Sequence, residues 1–134
     1  MNSQLPSELR YTASHEWLRV EDGNQVVVGI TAYAQSALGD MIFVELPRPG
    51  IVVTVGDDCA VVESVKAAAD IFAPVGGEVL AINEELEARP EQINEDPYGS
   101  GWLFRMQLQD PAELDALMDA EAYHSLLQRN EAPF

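Results

Sequence analysis

From Trp17 to Leu108 the apolar residues fall into short runs separated by Gly, Pro and acidic residues, the spacing of a compact all-β sandwich or barrel. In HEWLRVEDGNQVVVGI, Asp22-Gly23-Asn24 separates two β-prone runs and predicts a hairpin. TAYAQSALGD follows, with Thr31 placed to cap a short helix rich in Ala and Leu and Gly39 placed to stop it. MIFVEL, IVVTV, CAVVESV, IFAPV and EVLAI then read as short strands. WLFRMQL alternates, with Trp102, Phe104, Met106 and Leu108 on one face and Arg105 and Gln107 on the other, so it predicts a half-buried strand. The chain closes on a predicted helix over residues 110–129, with Asp110 as N-cap, Pro111 at its first position and Glu113 completing a capping box. Leu114, Leu117, Met118, Leu126 and Leu127 form its apolar stripe, which reads as core contact.

A weak internal repeat lies in the β region. PRPGIVVTVGDD (Pro47 to Asp58) can be laid over PVGGEVLAINEE (Pro74 to Glu85), matching proline, glycine, valine and an acidic pair after a turn residue. Between the copies stands VVESVKAAADIF, whose Lys66 is the only lysine of the chain. Two similar β units joined by a hairpin would put Lys66 at its tip. Val61, Val62 and Val65 stiffen the incoming strand, while Ala67, Ala68 and Ala69 leave the amine uncrowded.

That placement narrows the chemistry. A nucleophilic or Schiff-base lysine needs burial or a nearby cation to lower its pKa, whereas the sequence neighbours of Lys66 are Glu63 and Asp70, which favour the charged form. Acylation instead removes the charge and makes the side chain a tether reaching roughly 15 Å. At 134 residues and 47% hydrophobic the chain suits one domain, residues 1–134, with 1–8 a loosely ordered lead-in. A formal charge of -16 repels phosphate backbones and anionic lipid, so nucleic acid and membranes are poor partners. No apolar run reaches the roughly 18 residues of a spanning helix, and MNSQLPSELR has no signal-peptide core. The expectation is a cytoplasmic protein, mitochondrial only if a transit peptide has been removed.

The single cysteine, Cys59, excludes an internal disulfide and reads as a small buried hydrophobe. One Cys with the distant His15 and His124 has no metal-ligand spacing, so no metal is expected. His15, beside Glu16 and near Trp17, reads as packed or hydrogen-bonded rather than catalytic, and His124 as structural or exposed. Ser64 lacks a nucleophile-elbow setting, and Gly76-Gly77 reads as a turn.

ESVKAAADIFAPVGGEV, with YTASHEWLRV, VGITAYAQSALGDMIFVELPRPG, NEDPYGSGWL and LMDAEAYHSLL, resembles the H proteins of the glycine cleavage system, over Leu9 to about Leu127. The resemblance implies a mainly β lipoyl/biotinyl-type hammerhead sandwich (a barrel-sandwich hybrid) with a short internal helix and a C-terminal helix. It implies lipoic acid bound covalently to Lys66, with Glu63, Ser64, Val65 and Ala67 as recognition residues around it. Biotin carriers place methionines on both sides of their lysine, and 2-oxo acid dehydrogenase lipoyl domains an aspartate before it; Val65 and Ala67 match neither. The implied role is a non-catalytic, monomeric shuttle. Its arm takes an aminomethyl group from a pyridoxal-phosphate glycine decarboxylase and delivers it to a tetrahydrofolate-dependent aminomethyltransferase. Dihydrolipoyl dehydrogenase, a flavin (FAD) enzyme, reoxidises the arm; a lipoate ligase or an octanoyl/lipoyl transferase attaches it. The resemblance extends to a lipoyl-donor role toward other lipoyl domains.

By motif position Glu16 and Asp70 are the carboxylates that would hold the cationic cargo in a surface cleft; the plain alternative is two solvated charges. An enzyme using Glu16, Asp70 and Glu63 as acid and base is the rival from another class. Among 23 acidic residues, the mere presence of paired carboxylates carries little weight. Ala69, Phe72 and Ala32 depart from the family's usual polar residue, tyrosine and aspartate, which bears on cleft polarity and helix capping but leaves the attachment lysine in place.

Overall fold

The computed structural model describes residues 5–129. A six-stranded antiparallel sheet runs in the order β1 (Arg10–Tyr11), β2 (Glu16–Glu21), β3 (Gln25–Ile30), β9 (Phe104–Leu108), β8 (Gly77–Ile82) and β5 (Val52–Val53). A three-stranded sheet carries β4 (Met41–Glu45), β6 (Asp58–Ser64) and β7 (Ala68–Phe72) in that order. The main core lies between them, because Val26, Val28 and Ile30 of β3 and Phe104, Met106 and Leu108 of β9 turn to one side and meet Val62 and Ile71. Fully burying each such side chain is worth about 1.5–3 kcal/mol.

The opposite face of the larger sheet is covered too. Trp17 and Val27 point there and pack with Leu9, Tyr11 and Tyr123. The indole lies against Gly29, its register partner, where an added Cβ would stand 2.6 Å from ring carbons. The predicted hairpin joins β2 to β3 at Asp22–Asn24, and Gly23 and Asn24 supply the positive φ it needs. The predicted internal helix is α1 (Ala32–Leu38), capped by Thr31 Oγ1 on the Ala34 amide and closed by Gly39.

The two repeat segments meet. Val52 and Val53 pair with Glu78 and Gly77, and Gly50 N–H donates to Val79 O at 2.7 Å. β6 and β7 project between them as the expected hairpin.

Several expectations are corrected. IVVTV contributes only Val52–Val53 as strand, and the IFAPV strand is Ala68–Phe72. Gly77 is not a turn residue: it opens β8, where a Cβ would collide with the Gln107 carbonyl on β9. Between Ile82 and β9 lie two short helices, α2 (Glu85–Ala88) and α3 (Gln92–Glu95).

The expected helix over 110–129 is two elements, a 3-10 segment Pro111–Ala116 and α4 (Ala120–Gln128). They are separated because Met118 forms a bridge with Tyr11, its N–H and C=O both exchanging bonds with that residue. Asp110 does cap the first segment, through Ala112 N–H. Glu113 closes no capping box; its Oε1 accepts from Gly76 N–H at 2.7 Å, and Asp119 caps α4 instead. The apolar stripe omitted Tyr123, which is the buried residue of α4 and stacks on Tyr11 at 4.8 Å. Of the lead-in 1–8, residues 1–4 lie outside the described ones, while Leu5 packs on the second cluster and Pro6 O accepts from the Tyr11 hydroxyl at 2.6 Å.

Candidate functional site: the Lys66 hairpin and the cavities beside it

Lys66 stands exposed in the tight turn from β6 to β7. Ser64 builds that turn from inside. Its N–H donates to Ala67 O at 2.7 Å, and its hydroxyl oxygen receives the Lys66 and Ala67 amides at 3.2 and 3.1 Å. Being only 4% exposed, Ser64 is a strut of the hairpin, whereas Glu63, Val65 and Ala67 face solvent.

A second loop braces the turn. Val65 N–H donates to Asp40 O at 3.0 Å, and a Cβ added to Gly39 would stand 3.6 Å from Lys66 Cε, so the lysine stem runs over the end of α1. Asn94 of α3 locks this loop: its Nδ2 donates to Gly39 O and Gln35 Oε1, both at 2.9 Å, and its Oδ1 accepts from Met41 N–H at 2.9 Å. Asn94 was missed from the sequence. It sits in NEDPYGSGWL, which entered the reading only through the family resemblance and with no role for Asn94, so only its partners reveal the role.

Glu16 is 1% exposed, on the core-facing side of β2 with Leu18. Its Oε1 accepts from the Thr12 and Ser14 hydroxyls at 2.5 and 2.7 Å, and its Oε2 from Phe72 N–H at 3.1 Å. It is therefore no free surface charge. It lines a cavity of about 330 Å³ with Thr12, Ser14, Phe72, Glu113 and Leu117. The 3-10 segment, expected as part of a core-packing helix, supplies one wall.

Asp70 is exposed and lines a different cavity, about 230 Å³, with Glu45, Asp58 and Cys59. The two carboxylates are thus on separate walls. They are linked through β7, whose outward residues run Ala68, Asp70, Phe72 from the lysine toward the Glu16 cavity. The Cys59 thiol is pushed up to about 12, chiefly by burial and further by the charges of Glu16, Asp57 and Asp58. His15 is buried with Nδ1 2.7 Å from the Tyr123 hydroxyl, which also meets Thr31 Oγ1 at 2.8 Å; it packs as expected. Among the described residues, no group of three or more His, Cys, Asp or Glu is placed to hold a metal, and no helix is long and apolar enough to cross a membrane.

Comparison with known proteins agrees with this geometry. The model of the glycine cleavage H-protein family matches residues 9–130. The glycine cleavage system H protein of Aeromonas hydrophila subsp. hydrophila is 61% identical over 125 residues, covering 93% of this chain and 97% of that protein. That of Shewanella oneidensis is 58% identical with the same coverage. A crystal structure of a glycine cleavage system H protein from Mycobacterium marinum superposes with a TM-score of 0.83 at 36% identity, covering 92% of this chain and 99% of that one. By sequence over nearly its whole length and by the arrangement of its two sheets, the chain belongs to the glycine cleavage H-protein family.

Proposed function

We propose that Lys66 bears lipoic acid as an amide and that the chain is the non-catalytic lipoyl carrier of a cytoplasmic glycine cleavage system. The observation that carries this reading is the exposed position of the chain's only lysine at the tip of a hairpin braced by Ser64 and by the Gly39–Asp40 loop. When bound, the lipoyl group supplies a dithiolane that takes up and hands on a one-carbon amine. The residues present fit it: the amine is exposed, the flanking alanines are small, and a partly apolar cavity with a buried carboxylate lies along the same hairpin.

Distances along β7 support the fit. Asp70 and Phe72 stand on the outward face of β7, the strand that leaves the Lys66 turn, so a group of about 15 Å on Lys66 would have that face within reach. Asp70 and Glu16, on separate cavities beside that strand, would be the carboxylates available to a cationic cargo on the loaded arm. A carboxylate offers about four acceptor sites, and Glu16 uses three, which leaves one for a cationic cargo. Tethering raises the local concentration of cargo at each successive enzyme, here the decarboxylase, the aminomethyltransferase and dihydrolipoyl dehydrogenase.

Incubating the purified chain with lipoate, ATP and a lipoate ligase should add one lipoyl increment by intact mass, and Lys66→Arg should add none, since a guanidinium cannot form the amide. Wild-type protein that remains bare in a lipoate-replete host with active attachment machinery would overturn the assignment. The lipoyl-donor role uses the same amide; a deletion strain that keeps glycine-dependent carbon dioxide release but loses lipoylation of other proteins would identify it.

A further inference from the structure

The loop that joins β1 to β2 is closed by Thr12, whose N–H donates to Glu16 O at 3.0 Å and whose C=O accepts from His15 N–H at 3.1 Å. Inside it the buried His15 takes a φ of 76°, a left-handed backbone that residues other than glycine rarely adopt. The Thr12 hydroxyl is fastened from both sides. Its oxygen accepts from Glu16 N–H at 3.0 Å, and its one proton goes to Glu16 Oε1 at 2.5 Å. Branching at Cβ restricts χ1 of Thr12, whereas Ser14, the second donor to Oε1, is unbranched and exposed. Each carboxylate oxygen has about two acceptor sites. Oε1 is filled by Thr12 and Ser14, while among the described residues Oε2 takes only Phe72 N–H, so the open acceptor of Glu16 lies on Oε2. Thr12 and Glu16 both line the cavity of about 330 Å³.

We propose that Thr12 is a positioning residue: its hydroxyl fixes the Glu16 carboxylate with the Oε2 acceptor open, so that the cavity retains a cationic cargo better than a neutral one. The inference deepens the carrier reading above and rests on it. A carboxylate held by three donors keeps its orientation with no cation present, so none has to be imposed when a protonated amine arrives. Without the Thr12 hydroxyl, Oε1 keeps a single donor from an exposed serine and Glu16 N–H loses its side-chain acceptor. The carboxylate then turns to recover partners, because a buried charge left short of donors is costly. The open site on Oε2 is no longer fixed. A neutral thiol has no charge-assisted hydrogen bond to lose, so the effect falls on the charged cargo alone.

The test compares the full chain with Thr12→Val, which keeps shape and branching, and Thr12→Ser, which keeps the hydroxyl. In the unloaded chain Phe72 N–H reports on Oε2, and its hydrogen exchange should be about tenfold faster in Thr12→Val, with β3 amides as in the wild type. In the lipoylated chain, formaldehyde and ammonia condense with one thiol of the reduced arm, losing water, to give an aminomethyl thioether. In fresh buffer water reverses that step: the C–S bond breaks, and thiol, formaldehyde and ammonia return. Intact mass follows the decay. Thr12→Val should lose the group about tenfold faster than the wild type, and Thr12→Ser should stay within about threefold of it. Reduction of the oxidised, neutral arm by dihydrolipoyl dehydrogenase and NADH should run at one rate in all three. Unchanged decay or unchanged Phe72 exchange in Thr12→Val would overturn the inference, and so would equal losses in the two variants or a parallel loss in the dehydrogenase reaction. A wild-type chain that is never lipoylated sinks the carrier reading instead. The Phe72 comparison needs no lipoyl group and still decides whether Thr12 positions Glu16, so the two failures are distinguishable.

Discussion

Single side chains decide how the Lys66 turn is held. Ser64 receives two turn amides and donates back to Ala67 O at 3.2 Å, so Ser64→Ala leaves turn amides of the Lys66 loop without their acceptor. We expect a cost of about 1–3 kcal/mol and faster amide exchange at Lys66 and Ala67 than in β3, read by hydrogen–deuterium exchange. Uniform exchange across hairpin and core would refute the strut role. Cys59 shows the opposite design. Burial and three nearby carboxylates hold its thiol protonated, so its thiolate fraction at neutral pH falls far below that of an open cysteine. Labelling by a thiol reagent at pH 8 should run at least about a hundredfold slower in the folded than in the denatured chain. An equal rate would show that the thiol is open to solvent and contradict its burial.

At the scale of elements, the C-terminal part of the chain does two jobs because it is broken. The 3-10 segment walls the Glu16 cavity and ties to Gly76 through Glu113, and Arg10 holds its Leu114 carbonyl at 3.1 Å. Beyond the break, α4 docks Tyr123 onto Tyr11, and that hydroxyl reaches the Thr31 cap of α1. Burial, the largest cause, raises the Tyr11, Tyr98 and Tyr123 hydroxyls above their usual value. A raised phenol stabilises the fold fully below the unfolded value near pH 10, and that contribution is lost as pH rises further. Alkaline titration should therefore show delayed tyrosinate absorbance and then cooperative loss of α4 and β1, followed by circular dichroism. Free titration of all tyrosines near pH 10 with the fold intact would contradict the packing.

At the scale of the molecule, the charge of -16 sets how the proposed carrier would meet basic partners. Association with a basic partner should slow roughly tenfold between low salt and about 0.5 M, measured by stopped-flow; a salt-independent rate would remove electrostatic steering from the account. Much of this protein could be read along the chain, because the signals are local. Alternation marked β9, Asp22-Gly23-Asn24 between two β-prone runs marked the β2–β3 hairpin, Thr31 and Gly39 bounded α1, and the lone lysine between two repeat segments marked the apex. Capping chemistry also placed Asp110 correctly but could not reveal that Met118 would leave the helix to pair with a residue more than a hundred positions earlier. The same limit hid Asn94, the need for glycine at position 77, and the separation of Glu16 from Asp70 into two cavities. Short-range propensity and periodicity were determined by the sequence itself. Which side chains close the cavity and brace the lysine was decided only when distant segments packed, since a hydrogen bond or a steric limit between them exists in no single stretch of the chain.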